Sequence, residues 1–174
     1  MSLGYPSDDF WSPEVRGLAT MKLGIRKATL DDVPRLWELR RQSILTLAAK
    51  GLSVAQSQAW AAGKTIQGME KQFREIEIWT AETNDTIVGW VGFHGDYLDG
   101  LYTDPQFTEQ GIGSQLLGIA EGLMRERGVR VVRADASWNA EEFYLRRGYE
   151  PTAPRPADSA RPLVKRLLPE TRSK

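Results

Sequence analysis

The sequence predicts a mixed α/β domain, and three observations support this. Hydrophobic periodicity changes along the chain between strand-like alternation and helical spacing, so that strands and helices are interleaved. The length of 174 residues suits one domain with a self-sufficient core. Hydrophobic residues make up 41 % of the chain, with 16 Gly and 9 Pro, which is ordinary for such a fold.

The first half of the chain predicts one strand followed by helices. Residues 22–27 form the strand, and Thr29 with Asp32 three residues later resembles a capping box that starts a helix. That helix carries an apolar stripe at helical spacing, which consists of Val33, Leu36, Trp37, Ile44 and Leu47. Two shorter helices follow, one over residues 53–61, ended by Gly63, and one over residues 69–74.

The second half predicts three consecutive strands and then an alternation of helices and strands. Residues 76–82 and 87–94 are rich in β-branched and aromatic side chains and flank a turn that contains Asn84 and Asp85. A third strand follows at residues 98–103. The remaining elements are a helix at 111–127 stopped by Gly128, a strand at 129–136, a short helix at 140–147 stopped by Gly148, an extended run from Tyr149, and a final strand around Leu163-Val164 and Leu167-Leu168.

Both ends of the chain differ from this pattern. Residues 1–20 are rich in Gly, Pro, Ser and Asp and have no sustained period, which predicts a flexible N-terminal arm. We therefore expect a single domain over residues 21–170 and a charged tail over residues 171–174.

Composition excludes several classes of function. The chain has 23 Lys plus Arg and 23 Asp plus Glu, and this balance argues against nucleic acid as a partner. The absence of Cys removes thiolate metal sites and a Cys nucleophile, and the single His, His94, removes paired-His sites, so no metal is predicted. No apolar run is long enough to span a membrane and the N-terminus lacks the apolar core of a signal peptide, so we predict no membrane association and a cytoplasmic location.

A strand–turn–helix segment with two glycines is the first chemical signal. The strand at 98–103 ends, the chain passes through Gly111 and Gly113, and an amphipathic helix begins at once. The amides of a helix's first turn have no internal partners, and the helix dipole makes this end positive. Glycine lets a phosphate approach the backbone, so the turn is a candidate anion cradle, although the same glycines also suit a plain tight turn. Leu116 stands where a dinucleotide fingerprint needs a third Gly, and the Gly-Lys-Ser/Thr of a P-loop is absent.

Two motifs, in this order along the chain, point to one family. The first is Thr108-Glu109-Gln110-Gly111-Ile112-Gly113, which resembles the pattern Gln/Arg-x-x-Gly-x-Gly/Ala. The second is Asn139-Ala140-Glu141-Glu142-Phe143-Tyr144 with Gly148-Tyr149 after it, which resembles Asn-Ala-x-x-Phe-Tyr followed by Gly-Phe/Tyr. Together they resemble the general-control-related N-acetyltransferase (GNAT) superfamily, and the likeness covers about residues 22–166. Thr108 departs from the family's Gln or Arg, a residue that normally supports a phosphate.

This resemblance implies the GNAT fold, a mixed, twisted and mostly antiparallel sheet of six to seven strands flanked by about four helices. The sheet would splay between its fourth and fifth strands, and acetyl-CoA would lie in the gap as a co-substrate. The backbone of Leu101, Tyr102 and Thr103 would pair with the pantetheine arm. The pyrophosphate would bind amides of the turn, from Glu109, Gln110, Gly111, Ile112, Gly113 and Ser114.

The chemistry that the resemblance implies needs few side chains. Transfer of an acetyl group from a thioester to an amine requires a neutral amine, a polarised carbonyl and a protonated leaving thiolate, but no covalent enzyme intermediate. By its place in the second motif, Tyr144 is the expected general acid and a cofactor contact, with a plain core aromatic as the alternative. Asn139 would hydrogen-bond the pantetheine amides, cap the following helix, or do both.

The general base has two candidates. Asp99 lies on the strand before the glycine turn, where some relatives carry a carboxylate that receives the amine, and its alternative is a solvated or turn-capping Asp. Strand alternation predicts that Asp99 shares a face with Leu101, opposite Tyr102. His94 is the second candidate because imidazole titrates in a useful range, although a lone His near a strand end also suits a structural or exposed role.

The resemblance therefore implies an acetyl-CoA-dependent N-acetyltransferase that moves an acetyl group directly to a primary amine of a small molecule. The acceptor pocket is expected from residues 44–63, which include Gln56, Gln58 and Trp60. A non-catalytic acyl-CoA-binding or regulatory module, and an enzyme acting on a protein or peptide amine, remain alternatives. Dimers are common in the family, so a homodimer stays open, without a sequence feature that specifies its interface.

Overall fold

The computed structural model describes residues 22–47, 51–157 and 160–168, which form one seven-stranded sheet with helices on both faces. The strands are β1 (Gly24–Lys27), β2 (Glu77–Thr83), β3 (Thr86–His94), β4 (Tyr97–Thr103), β5 (Val131–Ala136), β6 (Glu150–Pro151) and β7 (Arg161–Arg166). The α-helices are α1 (Val33–Leu47), α2 (Val54–Ala62), α3 (Ile66–Glu75), α4 (Ile112–Glu126) and α5 (Glu141–Leu145). The predicted arm at 1–20 and tail at 171–174 lie outside the described residues.

The sheet is mixed, with the strand order β1-β2-β3-β4-β5-β7-β6. All neighbouring strands are antiparallel except β4 and β5, which are parallel and are connected through α4. The ladder between β4 and β5 is limited to Tyr97 opposite Arg133 and Leu98 opposite Ala134. Beyond Leu98 the two strands part, and residues 99–103 keep strand pairing only on the side of β3. The predicted mixed sheet with a splay between its fourth and fifth strands is confirmed.

Local signals explain where several elements begin. Asn84 and Asp85 both have left-handed backbone, with φ of 47° and 58°, which is the geometry of a tight two-residue hairpin between β2 and β3. Ser53 and Gln56 form a capping box at the start of α2, where each side chain accepts a hydrogen bond from the other residue's backbone amide, at 3.2 and 2.9 Å. These turn and cap residues therefore fix the chain direction before any long-range packing.

Two apolar clusters fill the space between the sheet and its helices. One lies under α4 and α5 and includes the fully buried Leu116 and Met124. The other lies under α1 and α3, where Leu36 and Met69 pack around Trp90. The Trp90 indole is completely buried and donates to the carbonyl oxygen of Leu36 at 3.0 Å, so its polar atom is satisfied inside the core.

Three boundaries differ from the sequence predictions. Helix α3 runs over ten residues rather than the six at 69–74, because Thr65 caps it with its hydroxyl accepting from the Gly68 amide at 3.0 Å. The last strand, β7, lies earlier than the apolar pairs suggested, since Arg161 and Pro162 already pair with β5. The strand predicted at 129–136 begins two residues later, at Val131. No helix in the described part of the chain is both long and apolar enough to cross a membrane.

Candidate active site

A groove opens where β4 and β5 part. This β4–β5 groove has a volume of about 700 Å³ and lies between β4, the start of α4 and the segment around α5. Nine residues predicted from the sequence line it: Leu101, Thr103, Glu109, Gly111, Ile112, Gly113, Ser114, Asn139 and Tyr144. The Gln110 side chain is exposed and does not line the groove. Tyr102 packs its ring against Trp90 on the other face of the sheet, with ring centroids 4.9 Å apart, so only its backbone belongs to the open edge of β4.

The glycine turn presents backbone amides to this groove. Gly111 precedes the first residue of α4 and has a left-handed φ of 77°, a conformation that glycine adopts without strain. Glu109 is also left-handed, with a φ of 64°, which is uncommon for a residue with a side chain and often marks a functional turn. The amides of residues 112–114 belong to the first turn of α4 and have no acceptor within the helix. The turn therefore has the geometry of an anion cradle.

The second glycine of the turn is required for a different reason. A Cβ at Gly113 would lie 3.3 Å from the ring of Phe143, tighter than ordinary contact, whereas a Cβ at Gly111 would meet no atom within 4 Å. The glycine at 111 thus serves backbone conformation, and the glycine at 113 serves close packing of the turn against the Phe143 ring.

Arg147 places a cation beside the amides of the turn. Its Nε donates to the Ser114 hydroxyl at 3.2 Å, Nη2 also donates to this hydroxyl, and Nη1 donates to the Phe143 carbonyl oxygen at 2.8 Å. The guanidinium lies 3.6 Å from the centroid of the Phe143 ring. Among the described residues Arg147 forms no ion pair with a carboxylate, and burial together with the charge of Arg146 lowers its pKa. An anionic ligand in the groove would compensate this charge.

Tyr144 lies at the wall of the groove with its ring enclosed by other aromatics. The residue is 7 % exposed and makes edge-to-face contacts with Phe143 and Tyr149, at centroid distances of 5.3 and 5.1 Å. Tyr149 in turn donates to Glu121 at 2.9 Å, which anchors this aromatic layer to α4. Desolvation raises the pKa of the Tyr144 hydroxyl, so it stays protonated at neutral pH and can serve as a hydrogen-bond donor.

Asn139 also faces the groove and does not cap α5. The residue that precedes α5 is Ala140, which provides no side-chain cap, and the Asn139 Oδ1 instead accepts from the Ser137 hydroxyl at 2.8 Å. Of the two roles predicted for Asn139, the capping role is therefore wrong.

Asp99 lies on the opposite face of β4 from the one that alternation predicts. Gly100 pairs with Gly92 whereas Leu98 pairs with Phe93, so Asp99 is an extra residue in the ladder, a β-bulge. The bulge reverses the alternation at this point: Leu98 and Leu101 both pack in the cluster under α4, while Asp99 accepts a hydrogen bond from Gln72 of α3. The prediction that Asp99 shares a face with Leu101 is wrong for this reason.

A second cavity contains the Asp99 carboxylate. This α3 pocket, of about 340 Å³, lies between α3 and the β3–β4 hairpin and is lined by Lys64, Gly68, Lys71, Gln72, Glu75, Ile76, His94 and Asp99. The Lys64 ammonium donates to the Gln72 Oε1, and the Gln72 Nε2 donates to Asp99. Leu101 faces the groove and Asp99 faces the pocket. The two cavities therefore lie on opposite faces of the stretch of β4 that does not pair with β5.

The other predicted candidates are placed as follows. His94 is exposed at the end of β3, lines the α3 pocket and lies 5.6 Å from the Tyr97 ring. In the described part of the segment expected to form the acceptor pocket, residues 44–63, Gln56 takes part in the capping box and Trp60 packs in a small cluster with Ile44, and this part does not line the α3 pocket. The segment that follows it, from Lys64 to Ile76, lines the α3 pocket instead.

Sequence reasoning missed three polar residues near the two cavities. Arg147 lies inside the second motif, but only the fold brings it to Ser114. Lys64 and Gln72 carry no motif, and they meet because Lys64 lies just before the start of α3 and its ammonium reaches back to Gln72 within the helix.

Comparisons with known proteins agree with this architecture. A family model described as an acetyltransferase (GNAT) domain matches residues 47–161. The chain is 29 % identical over 126 residues to the uncharacterized N-acetyltransferase YafP of Escherichia coli K12, a match that covers 72 % of this chain and 80 % of YafP.

Solved structures of similar fold include two acetyltransferases. The crystal structure of a GCN5-related N-acetyltransferase from Rhodopseudomonas palustris has a TM-score of 0.78 and 26 % identity, and the match covers 83 % of this chain and 95 % of that one. The PaiA N-acetyltransferase from Thermoplasma acidophilum, solved in complex with coenzyme A, has a TM-score of 0.74 and 22 % identity, with 84 % and 100 % covered.

Proposed function

The chain belongs to the GNAT acetyltransferase family, and from this premise we propose that it transfers an acetyl group from acetyl-CoA to the primary amine of a small molecule. The observation that carries the proposal is the β4–β5 groove, which joins an unpaired strand edge to a cradle of free amides. That combination suits a ligand with an extended amide-containing arm and a phosphate group at its end.

The groove has a suitable contact for each part of acetyl-CoA. The backbone of residues 99–103 offers free strand hydrogen bonds to the pantetheine arm, and Asn139 adds a side-chain amide. The amides of residues 112–114 bind the pyrophosphate. Arg147 supplies a positive charge beside the turn, in a chain that has Thr at position 108 where the family has Gln or Arg.

The reaction is a direct transfer. Bound acetyl-CoA supplies the thioester, whose carbon–sulfur bond breaks as the amine nitrogen bonds to the carbonyl carbon. Overall, an ammonium and the thioester give the amide, the CoA thiol and one released proton. Asp99 attracts the cationic amine and takes its proton, directly or through water, before the attack.

Tyr144 donates a hydrogen bond to the sulfur as negative charge develops on it. The ordinary pKa of a thiol is about 8.5, and desolvation holds the pKa of Tyr144 above its ordinary value of 10.0. Complete proton transfer from the phenol to the thiolate is therefore uphill, so Tyr144 stabilises the leaving group by a hydrogen bond, and the thiolate takes the second proton that the nitrogen loses as the amide forms.

The small-molecule acceptor is supported by the size and position of the α3 pocket. Its volume of about 340 Å³ is in the range of ligand pockets for small molecules. It contains Asp99 at the unpaired stretch of β4, opposite the face that carries Leu101 in the groove. An amine held there lies beside the strand edge along which the acetyl end of the pantetheine arm is expected.

Two measurements test the proposal. Acetyl-CoA should raise the melting temperature, whereas NAD and ATP at equal concentration should not, and a panel of small primary amines should show release of free CoA. Asp99→Asn should keep the shift with acetyl-CoA and lower kcat/KM for the amine. The absence of both the shift and CoA release with every amine would refute the proposed function.

A further inference from the structure

The α3 pocket holds two opposite charges that are kept apart by a neutral amide. The ammonium of Lys64 donates to the Gln72 carbonyl oxygen, and the amide nitrogen of the same Gln72 donates to the Asp99 carboxylate. Both charged side chains are half-buried. Each charged group therefore contacts the neutral amide dipole of Gln72. An ion of opposite charge would bind each group more strongly than this dipole does.

Within the part of the chain that the structure describes, Lys64 has no carboxylate in ion-pair contact. None of the ion pairs among the described residues includes it. Burial is the main cause that lowers the pKa of Lys64, and the nearby charge of Arg40 lowers it further, while the charges of Asp99 and Glu75 offset this only in part. A half-buried cation under these conditions gains from an anion that comes with the ligand.

The other charged groups near the α3 pocket leave Lys64 and Asp99 as the two side chains that would bind a charged ligand. Lys71 and Glu75 are exposed at the rim and face each other at 3.9 Å, so their charges offset one another. Arg40 is buried and donates to the carbonyl oxygens of Trp60 and Ala61, at 3.3 and 3.4 Å, without a carboxylate partner among the described ion pairs. The interior therefore carries a surplus of positive charge, which disfavours acceptors with several ammonium groups.

We propose that the α3 pocket takes an acceptor amine that also carries a carboxylate, with the ammonium on Asp99 and the carboxylate on Lys64. The Gln72 amide already has this polarity, with an acceptor toward Lys64 and a donor toward Asp99, and an amino-acid-like ligand reproduces it with full charges. This inference rests on the proposed acetyl transfer and names the class of acceptor that the site selects.

Matched substrates test the inference directly. Leucine and phenylalanine are compared as acceptors with the corresponding carboxamide and with the decarboxylated amine, by CoA release at fixed acetyl-CoA. We expect kcat/KM for the acids to exceed that for both analogues without the carboxylate by about tenfold or more, the usual effect of a hydrogen-bonded charge pair. The carboxamides make the test stringent, because their amines have lower pKa values and are more often neutral.

Variants of Lys64 assign the preference to this side chain. Lys64→Gln should bring the ratio of acid to carboxamide close to one, and Lys64→Arg should keep most of it. Lys27→Gln removes one charge at an exposed position of β1 and should leave the ratio unchanged. The melting-temperature shift with acetyl-CoA should persist in all three variants, which separates acceptor selection from cofactor binding.

The outcomes distinguish this inference from the proposed function. A wild-type ratio near one, or a ratio unchanged in Lys64→Gln, overturns the inference while acetyl transfer stands. Lack of turnover with the acids also overturns the inference, whereas the proposed function fails only if acetyl-CoA gives no melting-temperature shift and no amine of the wider panel releases CoA. If Lys64→Gln does not fold, the wild-type ratio alone decides.

Discussion

Replacing Arg147 by Gln should weaken the binding of CoA about tenfold to a hundredfold. The guanidinium is held beside the first turn of α4 by the Ser114 hydroxyl and the Phe143 carbonyl oxygen, and it has no carboxylate partner among the described ion pairs. A hydrogen bond to a charged group contributes about 1.5–3 kcal/mol. Since about 1.4 kcal/mol corresponds to a factor of ten in Kd, the loss of one such contact gives the stated range.

The same substitution also affects the free protein. The guanidinium lies 3.6 Å from the centroid of the Phe143 ring, and a cation–π contact of this kind contributes about 0.5–1 kcal/mol at an exposed site. A modest decrease in melting temperature is therefore expected without ligand, and it must be measured separately from the change in Kd.

Titration calorimetry with CoA and with pantetheine separates the two effects. Pantetheine lacks the phosphate groups, so Arg147→Gln should raise the Kd of CoA and leave that of pantetheine within about twofold. Arg130→Gln, which removes one charge at an exposed position, serves as the matched control. An equal loss for both ligands, or an unchanged Kd for CoA, would refute the assignment of Arg147 to a phosphate.

Three further predictions concern Tyr144, Gly111 and Asp32. Tyr144→Phe should lower kcat about tenfold to a hundredfold in steady-state assays, because a hydrogen bond to the leaving sulfur is lost. The KM for acetyl-CoA should stay within twofold of the wild-type value. An unchanged kcat would show that Tyr144 does not stabilise the leaving group. Gly111→Ala should lower the melting temperature by about 2–8 °C, because the backbone φ of 77° at this position is strained for Ala. The control is Gly118→Ala, which lies inside α4 and faces open space, and this variant should raise the melting temperature slightly. Equal changes in melting temperature for the two variants would contradict this prediction. The hydrogen bond from Arg26 lowers the pKa of Asp32 below 3.8, so its stabilising effect is complete above that pH and is lost as the pH falls further. In urea denaturation the stability difference between wild type and Asp32→Asn should shrink below about pH 4, and a difference that grew would contradict the argument.

The sequence predicted those parts of the site that depend on local backbone chemistry. Gly111 and Gly113 occur between an alternating strand and an amphipathic helix, and a helix start has free amides wherever it forms. Most elements were found for the same reason, since the hairpin at Asn84 and Asp85 and the cap at Ser53 each act within a few residues.

The parts that sequence analysis missed depend on register and on distant partners. Asp99 points to the other face of the sheet because β4 has one residue more than β3 between two paired positions. The residues of β4 alone do not show where its pairing with β3 has this extra residue. Arg147 and Ser114 are 33 positions apart and meet only when α5 packs beside α4. Gln72 reaches Asp99 across 27 positions, and no pattern within α3 predicts that contact.

The short ladder between β4 and β5 bears on which molecules can pair with the free edge of β4. A long unpaired strand edge normally invites pairing with another chain, and proteins cover or shorten such edges. Here the free edge lies in the middle of the sheet, and β5 closes the same opening at Leu98. A thin, flexible molecule fits into an opening that narrows in this way, whereas a polypeptide strand, which has side chains on both faces, would clash with β5. The fold thus offers an edge for strand-like pairing to a narrow ligand.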